Sequence, residues 1–128
     1  MREEKLINNN KLLDTIYEAL FRKKANDVVL IDLSGLENAI TNYFIICDAD
    51  SNIQVRAIAD SVEELVFANH AKKAWHKEGY ENCIWILLDY EDIIVHIFQK
   101  PIRNYYRLEE LWADGIILNI EDKLKLKV

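Results

Sequence analysis

Trp85-Ile86-Leu87-Leu88-Asp89-Tyr90-Glu91-Asp92-Ile93-Ile94-Val95-His96-Ile97-Phe98 is the stretch that decides the fold. It reads as two strands joined at Tyr90-Glu91-Asp92. Both arms are too apolar for surface strands, so the hairpin belongs inside a sheet covered on its faces. A Trp, acids and a His interrupt the apolar pattern. Inside a fold such groups are either satisfied by neighbours or offered to a partner. Trp85 and Leu87 share one face of their strand, opposite Ile86 and Leu88. Spacing alone leaves the Trp85-Leu87 patch divided between core and interface.

Outward from the hairpin, the chain reads as helices and strands of one domain. Asn10 caps a first helix running to about Lys24, with Leu13, Ile16, Tyr17, Leu20 and Phe21 as its apolar stripe. Val28 to Leu33 is a strand apolar on both faces, and Ser34-Gly35 turns the chain. Thr41 to Cys47 is the second strand, followed by an Asp48-Ala49-Asp50 loop. Ser51 and Gln54 have capping-box spacing before a long helix to about Asn69. Its inward positions are Val55, Ile58, Ala59, Val62, Leu65 and Val66. Ala74 to Glu78 is a short polar strand for an edge, ended by Gly79. Pro101 starts a last helical segment whose Tyr105, Tyr106 and Trp112 are expected to pack on the sheet.

The expected architecture is α/β (α+β), order αββαβββα, with a mixed sheet of about five strands and helices packed on it. The domain covers residues 1–112, with its core at about 11–112. Residues 113–128 form a tail of unassigned role. Its final Lys-Leu-Lys-Leu-Lys-Val stretch, 123–128, alternates and is compatible with either an added strand or a frayed end.

At 128 residues the chain suits one domain with its own core. Its 51% hydrophobic and 30% charged residues are ordinary for a soluble globular protein. A net charge of −6 supplies no global attraction for nucleic acid. Arg22-Lys23-Lys24 and Lys72-Lys73 each follow a predicted helix, where cations complement the C-terminal partial charge. Cys47 and Cys83 fall in apolar strand patterns and read as small buried hydrophobes, which favours a reducing cytoplasm. No apolar run suits a signal peptide or a membrane span.

Candidate chemistry is sparse. His70, His76 and His96 lack ligand spacing; His76 reads as a solvent-side strand residue and His96 as a buried, bonded one. The three glycines form no phosphate loop. The strongest catalytic reading is a metal-dependent nucleotidyl or phosphoryl transferase using Asp32, Asp48 and Asp50. The competing reading is that Asp48 and Asp50 complement the N-terminus of the following helix. That second reading is favoured, because no phosphate cradle accompanies the acids.

The ordered set of pieces resembles the ribosomal silencing factor family, RsfS, also called Iojap-like. The pieces are Val28 to Leu33, Thr41 to Cys47, Gln54 to Asp60, Glu78-Gly79, Trp85 to Tyr90 and Asp92 to Phe98. Arg103, Tyr106 and Leu108 to Trp112 complete the set. The resemblance implies a pared-down nucleotidyltransferase-like fold and no enzymatic activity, cofactor or metal. It implies binding to ribosomal protein uL14 on the large subunit, which blocks subunit joining and lowers translation when nutrients are scarce. Trp85 is then the central anchor, with Leu87, Leu88, Asp89 and Tyr90 near it. Thr41, Asn42 and Tyr43 are a second set. No membrane partner or sequence-specific nucleic acid is expected, and self-association through an edge strand stays open. The chain departs from the family at Asp48-Ala49-Asp50-Ser51, where a Ser-Gly-Thr-Ser-like loop is usual. It also departs at Asn42, usually Asp, and at Glu91, usually Gly.

Overall fold

The computed structural model describes residues 10–121. Asn10 caps helix α1 (Lys11–Arg22), its side-chain oxygen accepting the Leu13 N–H at 3.1 Å. Ser51 caps α2 (Asn52–His70) in the same way, accepting from Gln54 at 3.1 Å. The Gln54 side chain in turn accepts the Asp50 N–H at 3.3 Å. Both helices lie on one face of the sheet. Ser61 of α2 donates to the Ala19 carbonyl at 2.9 Å, and Thr15 meets His70 at 2.8 Å.

The strands are β1 (Asn26–Asp32), β2 (Tyr43–Ala49), β3 (His76–Glu78), β4 (Trp85–Asp89), β5 (Ile93–Gln99) and β6 (Ile116–Asn119). They form one sheet in the order β3-β4-β5-β2-β1-β6. β2 and β5 are parallel and every other neighbouring pair is antiparallel. The hairpin β4–β5 lies inside the sheet, as its apolar character requires, and the polar β3 is an edge.

Alternation sorts the side chains into two layers. Leu30, Ile45, Cys47, Ile86, Leu88, Val95 and Ile97 face α1 and α2 and are fully buried. Each large aliphatic among them contributes roughly 1.5–3 kcal/mol through burial. Val29, Ile31, Phe44, Ile46, Ile94 and Phe98 form a second, smaller cluster on the opposite face. Two short helices cover part of that face, α3 (Lys100–Tyr106) and α4 (Leu108–Leu111). They supply Ile102 and Leu108, with Trp112 just beyond; the Trp112 ring meets Phe44 edge-on at 5.6 Å.

The sheet differs from expectation in several respects. It has six strands because Ile116–Asn119, read as tail, pairs with β1. Asp48 and Ala49 extend β2 rather than forming a loop. Cys83 precedes β4 in a left-handed conformation, φ 57°, and donates to the Tyr80 carbonyl instead of lying in a strand. Tyr105 and Tyr106, expected against the sheet, are 78% and 49% exposed, although Tyr106 does meet Trp85. The alternating residues 123–128 lie outside the described residues.

Candidate docking face and its buried support

On the second face, α3 reaches β4 through the Tyr106–Trp85 contact, and the rest of β4 and the edge strand β3 is only partly covered. Trp85, Leu87 and Asp89 point there in a row, each half-buried. His76 and Glu78 of β3 pair with Asp89 and Leu87 in register and are exposed beside them. Trp85 is not a loose surface ring. It stacks on Phe98 at 4.7 Å between centroids, meets Tyr106 at 4.9 Å, and donates its indole N–H to His96 Nδ1 at 3.1 Å. The ring is therefore supported by three neighbours while part of it stays open to solvent.

His96 is buried, and burial pushes its imidazole down to about 4. It is neutral at physiological pH. Accepting the indole at Nδ1 places its proton on Nε2. The sequence reading of His96 as a buried bonded residue holds, and His76 is solvent-side as expected.

The other sequence candidates divide. Leu88 is fully buried and Tyr90 nearly so, both facing the helix layer, so neither presents a side chain on the candidate docking face. The pleat allows only every second residue of β4 onto one face. Thr41 is also buried, its hydroxyl donating to the Glu91 carbonyl at 2.8 Å. Asn42 is exposed and Tyr43 half-buried. The Tyr43 N–H donates to the Asp92 carbonyl at 3.0 Å. The Thr41–Tyr43 segment thus abuts the hairpin turn, next to the Asp89 end of the strip.

The three aspartates do not converge. Asp32 pairs with Tyr43, whereas Asp48 pairs with Asn26, at opposite ends of the β1–β2 ladder. Five residues of extended chain separate them along the ladder, roughly 17 Å. The Asp32 carboxylate accepts the Ser34 N–H and hydroxyl at 2.9 and 2.6 Å, and Asp50 is exposed. No group of three or more metal-ligating side chains occurs among the described residues. Asp48 does not complement the α2 N-terminus either. It forms a buried ion pair with Arg103 at 2.9 Å, the side chains 2% and 8% exposed. Burial pushes its carboxyl up and Arg103 opposes that rise. Arg103 also donates to the Asp27 carbonyl at 2.7 Å and to Glu109 at 3.2 Å. Sequence reasoning gave Arg103 no role. The signal available was an arginine within a short helix that follows an apolar strand.

The sequence profile of the family described as "Ribosomal silencing factor during starvation" matches residues 7–127. The chain belongs to the ribosomal silencing factor (RsfS) family. A protein named ribosomal silencing factor RsfS from Halalkalibacterium halodurans is 36% identical over 115 residues, spanning 90% of this chain and 97% of that one. Its namesake from Bacillus subtilis is 33% identical over 117 residues, spanning 90% and 96%. The chloroplastic protein Iojap of Arabidopsis thaliana is 30% identical over 97 residues, spanning 76% of this chain and 40% of the plant protein. Among solved structures, a protein from Chromobacterium violaceum superposes with a TM-score of 0.75 at 32% identity, covering 80% of this chain and 84% of that one. A second, from Bacillus halodurans, gives 0.73 at 34%, covering 86% and 98%. As an RsfS-family member the chain carries its sixth strand inside the matched region. No helix among the described residues is long and apolar enough to cross a membrane.

Proposed function

We propose that this protein is a ribosomal silencing factor that docks on ribosomal protein uL14 of the large subunit and thereby blocks joining of the small subunit. Membership of a family of regulatory ribosome-associated factors supports the silencing role. The observation that carries the docking site is Trp85, half-buried and held from behind by Phe98, Tyr106 and His96, in a row with Leu87 and Asp89. A pre-positioned aromatic ring loses little freedom on binding, and such rings dominate protein interfaces. Asp89 supplies a carboxylate at the end of the strip, and the net charge of −6 favours approach to a basic ribosomal protein. Asn42 and Tyr43 extend the surface around the turn, while Leu88 and Tyr90 support it from the helix side.

The protein acts in the cytoplasm and without catalysis in this reading. The scattering of Asp32, Asp48 and Asp50 supports the non-enzymatic role over a metal-dependent transferase.

The test is co-sedimentation with large ribosomal subunits and capture of isolated uL14, using wild type, Trp85→Ala and Leu87→Glu, with folding followed by circular dichroism. Folded Trp85→Ala should lose about 2 kcal/mol or more of binding free energy. Leu87→Glu, at a half-exposed position, should weaken binding without unfolding the sheet. Wild type that ignores the large subunit sinks the function. Folded variants that both bind like wild type sink the site.

A further inference from the structure

Asp48, Phe98 and Trp85 lie in one row across three neighbouring strands. Phe98 of β5 is in register with Asp48 of β2 on one side and with Trp85 of β4 on the other. All three side chains belong to the face that α3 crosses, and α3 follows β5 directly. Arg103 and Tyr106 are three residues apart on α3, hence one turn apart on one side of it. Arg103 reaches the Asp48 end of the row and Tyr106 reaches the Trp85 end.

We infer that Arg103, through its pairing with Asp48, is a positioning residue for the docking surface: it holds α3 in the placement that sets Tyr106 against Trp85. The inference rests on the docking role proposed for Trp85. α3 has seven residues, too few for a stable helix on its own, so its placement must come from tertiary contacts. The guanidinium supplies them in three directions. It binds Asp48 on β2, the Asp27 carbonyl on β1 and Glu109 on α4. The Arg103 carbonyl also accepts the Arg107 N–H at 2.9 Å, closing the helix where Arg107 turns left-handed. A planar, five-donor head suits such a three-way contact, and the point charge of lysine does not.

Trp85 fluorescence and binding to large ribosomal subunits test this together, in a Trp75→Phe, Trp112→Phe background that leaves one indole. Arg103→Ala and Arg103→Lys should red-shift Trp85 emission, because Tyr106 leaves its ring, and weaken subunit binding on the order of tenfold. The pair Arg103→Met with Asp48→Leu removes both buried charges and should restore thermal stability. Its Trp85 emission and weak binding should stay those of Arg103→Ala. If emission and affinity return with stability in the double variant, Arg103 is structural only and the inference is overturned. Unshifted emission in folded Arg103→Ala overturns it as well. If the parent with only Trp75 and Trp112 replaced, and wild type itself, fail to bind subunits, the docking role falls; the emission shift alone then decides whether Arg103 positions Tyr106.

Discussion

The indole N–H of Trp85 donates to Nδ1 of His96 at 3.1 Å, so the half-buried Trp85 ring is tied to a neutral, buried imidazole on the next strand. Leu87, not Trp85, is the register partner of His96; the bond is diagonal and fixes the indole along the strand as well as above it.

Protonating that imidazole removes the acceptor. The His96 pKa is lowered in the folded state to about 4 from an ordinary 6.5, so the unfolded chain takes up the proton first. The stabilisation is therefore complete above about pH 6.5 and is lost as pH falls toward 4, by roughly 3 kcal/mol in total. Urea unfolding of wild type and His96→Gln between pH 4 and 8 checks this. The variant should show a shallower decline across that window, and identical slopes would exclude His96 as the titrating group.

Glu91 sits in the hairpin turn at φ 73°, a conformation that costs an L-residue about 1–2 kcal/mol. Its N–H donates to the Asp89 carboxylate at 2.7 Å and its carbonyl accepts from Thr41, which hold it there. Glycine would relieve the strain at some entropic cost in the unfolded chain. We expect Glu91→Gly to stabilise the fold by about 0.5–1 kcal/mol. Thermal denaturation decides the matter: a lower melting temperature would mean that the Glu91 side chain contributes more than its backbone costs.

Gly79 has the opposite character. It adopts φ +94°, and a Cβ there would lie 1.9 Å from the Trp85 carbonyl oxygen. The atoms that the Cβ would meet all belong to the backbone, so no side-chain rotation relieves the clash. Gly79→Ala should lose more than about 2 kcal/mol of stability and displace the start of β4. Chemical denaturation together with Trp85 emission would show it; a variant as stable as wild type would mean that the loop from Gly79 to Ile84 yields freely.

Much of the fold was legible because its signals are local. Asn10 and Ser51 announce helix starts through side chains that bond three residues ahead. The predominantly apolar arms around Tyr90-Glu91-Asp92 announce an internal hairpin, and the polar His76–Glu78 an edge. The ordered motif pieces sufficed to indicate the family. The candidate site was legible in part. Alternation correctly paired Trp85 with Leu87, against Ile86 and Leu88.

What the sequence determined, then, was the period of most elements, the caps of the two long helices and the family the chain belongs to. The tertiary structure alone decided which face of β4 is left open, since that depends on where α1, α2 and α3 come to rest. It turned Leu88 and Tyr90 to the helix layer, behind the candidate docking face. It drew Ile116–Asn119 into the sheet, and it parted Asp32 from Asp48 through an antiparallel register. It also gave Asp48 its partner, 55 residues away. A buried charge must find an opposite charge or hydrogen bonds, but nothing in the spacing of residues says from which distant segment they will come.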